Sequence, residues 1–147
     1  TPFLTTEGGV NSGYMIVQYS AASMVSENKV LAHPASVDSI PSSANQEDMV
    51  SMGTTAARKA GWIVQNTLSV LADELLTACQ GIDIRRRLNT HGQGISPVHQ
   101  KVYDCVRKVA DFYEVDRELW PDIKAVEKLV RSGELLEIVR STVADFE

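Results

Sequence analysis

Apolar positions fill nearly every helical phase between Ser12 and Ala32: Tyr14, Met15, Ile16, Val17, Tyr19, Ala21, Ala22, Met24, Val25, Val30 and Leu31. A helix with one apolar stripe buries one face, but a helix that is apolar all round needs cover on every side. The pattern predicts that this helix stops before His33-Pro34, because proline disfavours the helical region in the residue ahead of it. Residues 33 to 47, HPASVDSIPSSANQE, hold two prolines among Ser, Asn and Asp, which is the composition of a loop. A second helix is predicted from about Asp48 to Gln80, with Gly81 as its C-cap. Its apolar residues include Val50, Trp62, Ile63, Val64, Leu68, Leu71, Leu75, Leu76 and Cys79, again on several faces. At the helical rise it would be about 50 Å long, more than a compact domain of this size needs.

After a polar connection containing Arg85, Arg86 and Arg87, Ser96-Pro97 reads as N-cap and first helical residue of a helix reaching about Tyr113. Trp120-Pro121 opens a further helix with Ile123, Val126, Leu129 and Val130 at three- and four-residue spacing. Gly133 punctuates it, and Glu134 to Val143 completes the pattern. The fold class is therefore all-α, with long helices suited to a multi-subunit bundle and short helices at the C-terminus. The apolar circumference of the two long helices exceeds what the short ones can cover, so the chain is expected to pack against more protein.

Composition narrows the function. With 14 Lys plus Arg against 19 Asp plus Glu, the formal net charge is -5, and no basic face is clustered for nucleic acid. No apolar run approaches the roughly 20 residues of a membrane span. Two cysteines, Cys79 and Cys105, make neither a zinc cluster nor a disulfide framework, so a reducing cytoplasm is the expected compartment. Both read as buried, inert thiols. His33, His91 and His99 lack metal-ligand spacing. The triple Arg reads as solvated or as complementing a helix C-terminus. The chain opens Thr1-Pro2-Phe3-Leu4, with no Met and no signal core, and is expected to be a fragment or a processed piece.

The loop at 33–48 is where chemistry is expected. It gathers Ser36, Asp38, Ser39, Ser42, Ser43, Asn45, Gln46, Glu47 and Asp48 between two apolar helices. Buried polar groups need hydrogen-bond partners, so the cluster is either a capping network or a site. As a network, Ser43 or Asn45 would be the N-cap, with Glu47 and Asp48 in the first turn. As a site, a carboxylate there would be a general base or bind a substrate cation. The residues leave both open.

The order of residues is more specific. NSGYMI at 11–16, SENK at 26–29, LAHPASVDSIPSSANQED at 31–48, VSMG at 50–53 and ELLTACQGIDIR at 74–85 resemble the aromatic amino acid ammonia-lyase family, nearest to its histidine ammonia-lyases, and WPDI at 120–123 fits more loosely. The resemblance implies a homotetramer of long helices whose active sites are assembled from several subunits. It implies non-oxidative elimination of ammonia from an amino acid, for histidine giving trans-urocanate, with 4-methylidene-imidazol-5-one as electrophile, made from an internal Ala-Ser-Gly. That tripeptide is absent from this sequence. Residues 1–147 are accordingly expected to be the C-terminal helical portion, inactive alone and partnered by identical subunits and a cofactor-bearing N-terminal portion. By the resemblance, Glu47 lines the substrate pocket as a glutamate in histidine-specific members and binds the imidazole or moves a proton. Met15 matches a pocket position that is Met in histidine-type and Lys in plant phenylalanine-type members, and Ser43 matches a third. Met49 departs from the His that commonly follows NQED in histidine-type sequences. That departure keeps open a tyrosine or phenylalanine ammonia-lyase or an aminomutase, beside a non-catalytic self-associating helical module.

Overall fold

In the computed structural model, residues 1–88, 94–144 and 146 are described. His91 lies outside them. Among the described residues five α-helices run in chain order: α1 Met15–Leu31, α2 Gly53–Arg87, α3 Pro97–Arg107, α4 Trp120–Ser132 and α5 Glu134–Arg140. No strand is formed among the described residues, so the all-α expectation holds; the only ladder-type pairings are two isolated bridges, Gly8 with Asn11 and Ser42 with Glu47.

The 35-residue α2 is the axis on which the other helices pack. Helix α1 lies antiparallel to it. Lys59 donates to the His33 carbonyl, Asn66 to Glu27 and Asn28, and Gln80 to the Leu4 carbonyl, so partner numbers fall as α2 numbers rise. Helix α4 is antiparallel to α2 as well: Arg131 donates to Gln65 and Ser69 to Glu127. Helices α3 and α5 form a shorter antiparallel pair, with Lys101 donating to Thr142 and the Cys105 thiol to Glu134.

The core gathers Tyr14, Val17, Ala72, Leu76, Cys79, Val106, Ala110, Tyr113 and Val126, all at the C-terminal half of α2. Buried positions of α2 begin only at Ser69, so its first sixteen residues carry none. Exposed apolar residues follow from this: Ile16 is 57% exposed, Tyr19 67%, Val30 73% and Trp62 50%. The surplus of apolar surface expected on the two long helices is thus present on the structure. At about 25 cal/mol per Å² of apolar area removed from water, covering such residues is a substantial driving force for association.

Several boundaries differ from expectation. Helix α2 starts at Gly53 and not at Asp48, its N-cap Met52 being left-handed (φ 53°) with no side-chain cap. Gly81 is inside the helix, which continues to Arg87 because Ile82 and Ile84 sustain the apolar period and Ile84 is buried. A Cβ there would meet Leu4 Cδ2 at 3.9 Å, an ordinary contact, so Gly81 is a mid-helix residue and not a cap. Helix α1 starts at Met15 rather than Ser12, because residues 11–13 are tied into a turn described below. Helix α3 ends at Arg107 rather than Tyr113, and Ala110 and Tyr113 reach the core from the loop that follows. The Ser96 cap and the Gly133 stop (φ 80°) occur as expected. Arg86 stacks over Tyr103 and Arg87 over Phe112 while pairing with Glu114 at 2.9 Å, so these two arginines are structural, at the negative end of α2.

Candidate functional site

The loop between α1 and α2 is built by side chains that bond their own neighbourhood. His33-Pro34 stops α1, and a single 3-10 turn, Ala35–Val37, follows. Asp38 accepts from the Ser39 amide at 2.9 Å, and the Ser39 hydroxyl accepts from the Val50 amide at 2.7 Å, which closes the loop at its base. Above that base, Ser42 and Glu47 exchange both backbone hydrogen bonds, at 2.8 and 3.2 Å. The connecting residues Ser43, Ala44 and Asn45 all lie in the left-handed region, at φ 51°, 55° and 65°. Left-handed backbone costs roughly 1–2 kcal/mol per L-residue, and outside glycine it occurs as single residues. Three in succession, none of them glycine, form a strained turn of the kind that clusters at functional sites.

The capping reading of the cluster is not met. Neither Ser43 nor Asn45 caps α2, and Glu47 is not in its first turn. Glu47 is exposed, six residues before the helix begins, so it is also not enclosed in an apolar pocket within this chain. The polar residues of 38–50 shape a projecting turn that presents Ser43 and Glu47 together. Met15 sits elsewhere. It is the half-buried first residue of α1, and the loop leaves from the opposite end of that helix, about 24 Å along its axis. The structure therefore brings Ser43 and Glu47 into one turn and leaves Met15 on a separate element.

The start of α1 has its own construction, which the periodicity of the sequence does not reveal. Asp116, in the loop between α3 and α4, accepts from the Ser12 amide at 2.7 Å and from the Gly13 amide at 3.0 Å, and its own amide donates to Asn11 Oδ1 at 3.1 Å. The two amides hold the Asp116 carboxyl below the usual range. Gly13 is at φ 58°, and a Cβ there would meet the Phe3 carbonyl oxygen at 2.5 Å. Only glycine fits. Behind Asp116, the Tyr113 hydroxyl donates to Oδ1 at 3.3 Å, and fully buried Gln80 anchors Tyr113 by accepting from its amide (3.1 Å) and donating to its carbonyl (2.7 Å). Gln80, Tyr113 and Asp116 went unmarked in the sequence because their partners lie more than 30 residues away.

Other titratable groups are structural. Burial raises the Cys79 and Cys105 thiols above their ordinary value, as inert cysteines require. Arg107 pairs with Asp83 at 2.7 Å, and Tyr103 donates to the same carboxylate. Among the described residues no group of His, Cys, Asp and Glu could hold a metal, and no helix is long and apolar enough to cross a membrane. The two Ser-Gly pairs, 12–13 and 132–133, are committed as well: Gly13 is locked as described, and Gly133 ends α4.

Comparison with known proteins agrees with the motif reading. The sequence model of the aromatic amino acid lyase family matches residues 1–108. Histidine ammonia-lyase 1 of Fusobacterium nucleatum is 51% identical over 145 residues, 99% of this chain and 27% of that protein. Histidine ammonia-lyase of Alkaliphilus oremlandii is 56% identical over 141 residues, 96% of this chain and 27% of that protein. Among solved structures, histidine ammonia-lyase from Trypanosoma cruzi matches with a TM-score of 0.88 at 46% identity, covering 99% of this chain and 28% of that one. Tyrosine aminomutase from Streptomyces globisporus matches with a TM-score of 0.85 at 34% identity, covering 98% and 26%. The chain spans about a quarter of the length of the relatives it matches.

Proposed function

The chain belongs to the aromatic amino acid lyase family, and from that premise we propose that it is the C-terminal helical part of a histidine ammonia-lyase, which releases ammonia from L-histidine to give trans-urocanate. The observation that carries this reading is the strained 43–45 turn, which presents Glu47 and Ser43 inside the 26–53 block that resembles the family most specifically. A carboxylate accepts a hydrogen bond from an imidazole N–H and can take up a proton, so Glu47 binds the substrate ring or moves its proton. Met15 supplies an apolar wall and Ser43 a hydroxyl.

The 24 Å of α1 between Met15 and the Glu47 loop supports a pocket built from more than one chain, as do the bare apolar faces of α1 and α2. Identical subunits in a homotetramer, together with the remainder of the longer protein, are the proposed partners, and the cytoplasm is the proposed compartment. In the family, 4-methylidene-imidazol-5-one supplies the electrophile for ammonia loss. Without Ala-Ser-Gly, and with both Ser-Gly pairs held in turns, these 147 residues do not form it, so that group belongs to a segment outside them. Alone, the chain is expected to be inactive.

The test is ultraviolet detection of urocanate from histidine by the full-length protein, with Glu47→Gln beside the wild type. Urocanate from the wild type and a loss on the order of 10² to 10⁴ in the variant is the expected result for a residue that transfers a proton. Turnover of tyrosine or phenylalanine with histidine untouched would sink the histidine reading. A second reading, a tyrosine or phenylalanine ammonia-lyase or an aminomutase, is favoured by Met49 after NQED and by the likeness to tyrosine aminomutase. A β-amino acid among the products would identify the mutase.

A further inference from the structure

We infer that Asp116 is a positioning residue for the proposed pocket: it fixes the backbone from which Met15 projects, and so sets how the pocket receives the substrate. The inference rests on the functional reading of Met15 but comes from a different part of the chain, the loop joining α3 to α4. Helix α1 begins with no side-chain cap of its own, since Tyr14 occupies the N-cap position and makes no such bond. The Ser12 and Gly13 amides, in the turn that leads into the helix, are instead held by a carboxylate from about a hundred residues away. An anion at a helix N-terminus also complements the helix dipole.

The arrangement is over-determined. Asn11 closes the ring by accepting from the Asp116 amide, and Tyr14 donates its amide to Phe3 at 2.7 Å from the other side. Between these two ties Gly13 has a single accessible conformation, and Met15 follows two residues later. Loss of the Asp116 carboxylate releases the Ser12 and Gly13 ties and leaves Tyr14–Phe3 and the Asp116 amide–Asn11 bond. Displacement of a pocket residue by about 1 Å can cost on the order of 100-fold in rate, so a side chain that touches no substrate still governs turnover.

The experiment compares full-length wild type with Asp116→Ala, Asp116→Asn, Met15→Ala and the Asp116→Ala/Met15→Ala double variant. Amide exchange at Ser12 and Gly13 and steady-state kinetics on histidine and tyrosine are both read. In Asp116→Ala, exchange at both amides is expected to rise about 10-fold or more, with native mass unchanged. Its kcat/KM is expected to fall about 10-fold or more, and its histidine-to-tyrosine preference to move toward that of Met15→Ala. Asp116→Asn keeps one acceptor oxygen, should lie between wild type and Asp116→Ala, and serves if the alanine variant fails to fold.

In the Met15→Ala background, Asp116→Ala should lower kcat/KM by less than about 2-fold, because its route of action is already gone. Multiplicative losses in the double variant, or unchanged exchange at Ser12 and Gly13, would overturn the proposal. If the wild type turns over a different aromatic amino acid, the histidine reading falls, and the same double-variant comparison on that amino acid decides the role of Asp116.

Discussion

Asp73 is 2% exposed, and neither carboxylate oxygen has a hydrogen-bond partner among the described residues. It lines a cavity with Tyr14, Val17 and Ala21 of α1, and it feels the charge of Glu127 on α4, which is satisfied by Ser69 and by Lys124 at 2.8 Å. Burial, and secondly the charge of Glu127, push the Asp73 carboxyl up from 3.8 to about 6. A rise of about 2 units corresponds to roughly 3 kcal/mol of differential stability between its two protonation states. Because the folded state holds the proton more tightly than the unfolded chain, stability falls as pH rises from about 4 to about 6 and is then level. The penalty is complete at neutral pH and absent in acid.

Asp73→Asn removes the titration, although its amide remains unpaired. Asp73→Leu also removes the polar group. Urea unfolding of each variant beside the wild type, from pH 4 to pH 8, isolates the effect, because contributions of carboxylates not coupled to Asp73 cancel in the difference. The variant-minus-wild-type stability should climb by up to about 3 kcal/mol between pH 4 and 7, the larger net gain belonging to Asp73→Leu. A difference independent of pH, or a loss at pH 7 with both variants, would refute the reasoning by showing that the carboxylate has a partner.

Ala44→Gly relieves one left-handed residue of the 43–45 turn and should stabilise the chain by about 1 kcal/mol in thermal unfolding. Gly13→Ala places a Cβ against the Phe3 carbonyl at a positive φ, so a loss of at least 1–2 kcal/mol is expected in the same assay. Arg107→Met leaves the Asp83 carboxylate, whose pair is 12% and 14% exposed, with the Tyr103 hydroxyl in place of its cation, and should cost up to roughly 3 kcal/mol in urea unfolding at neutral pH. Asp116, held below the usual carboxyl range, supplies stability that is present at neutral pH and lost as pH falls through its folded value. Hydrogen exchange at Ser12 and Gly13 should therefore accelerate, beyond the intrinsic pH trend, at the acid end.

Local pattern carried the secondary structure well wherever the signal was itself local. Ser96-Pro97 and Gly133 mark helix ends because a cap is a contact between near neighbours. The same logic failed at Gly81, where the apolar period runs on through buried Ile84 and carries the helix to Arg87. It also failed at Asp48, since a left-handed Met52 sets the start of α2. The motif block placed Ser43 and Glu47 in one segment, but their exposure and the strain of residues 43–45 are properties of backbone dihedrals that no periodicity encodes.

What the sequence determined by itself was the class of fold, the family, and the fact that α1 and α2 carry more apolar surface than this chain can bury. These follow from residue type and order, which act over a few positions. Tertiary structure alone decided that the turn ahead of α1 is held by Asp116, that Gln80 anchors Tyr113, and that Asp73 is buried without a partner among the described residues. Each depends on groups brought together across 30 to 100 residues of chain. Burial and hydrogen-bond satisfaction are set there by how helices pack, and not by what stands next to a residue in the sequence.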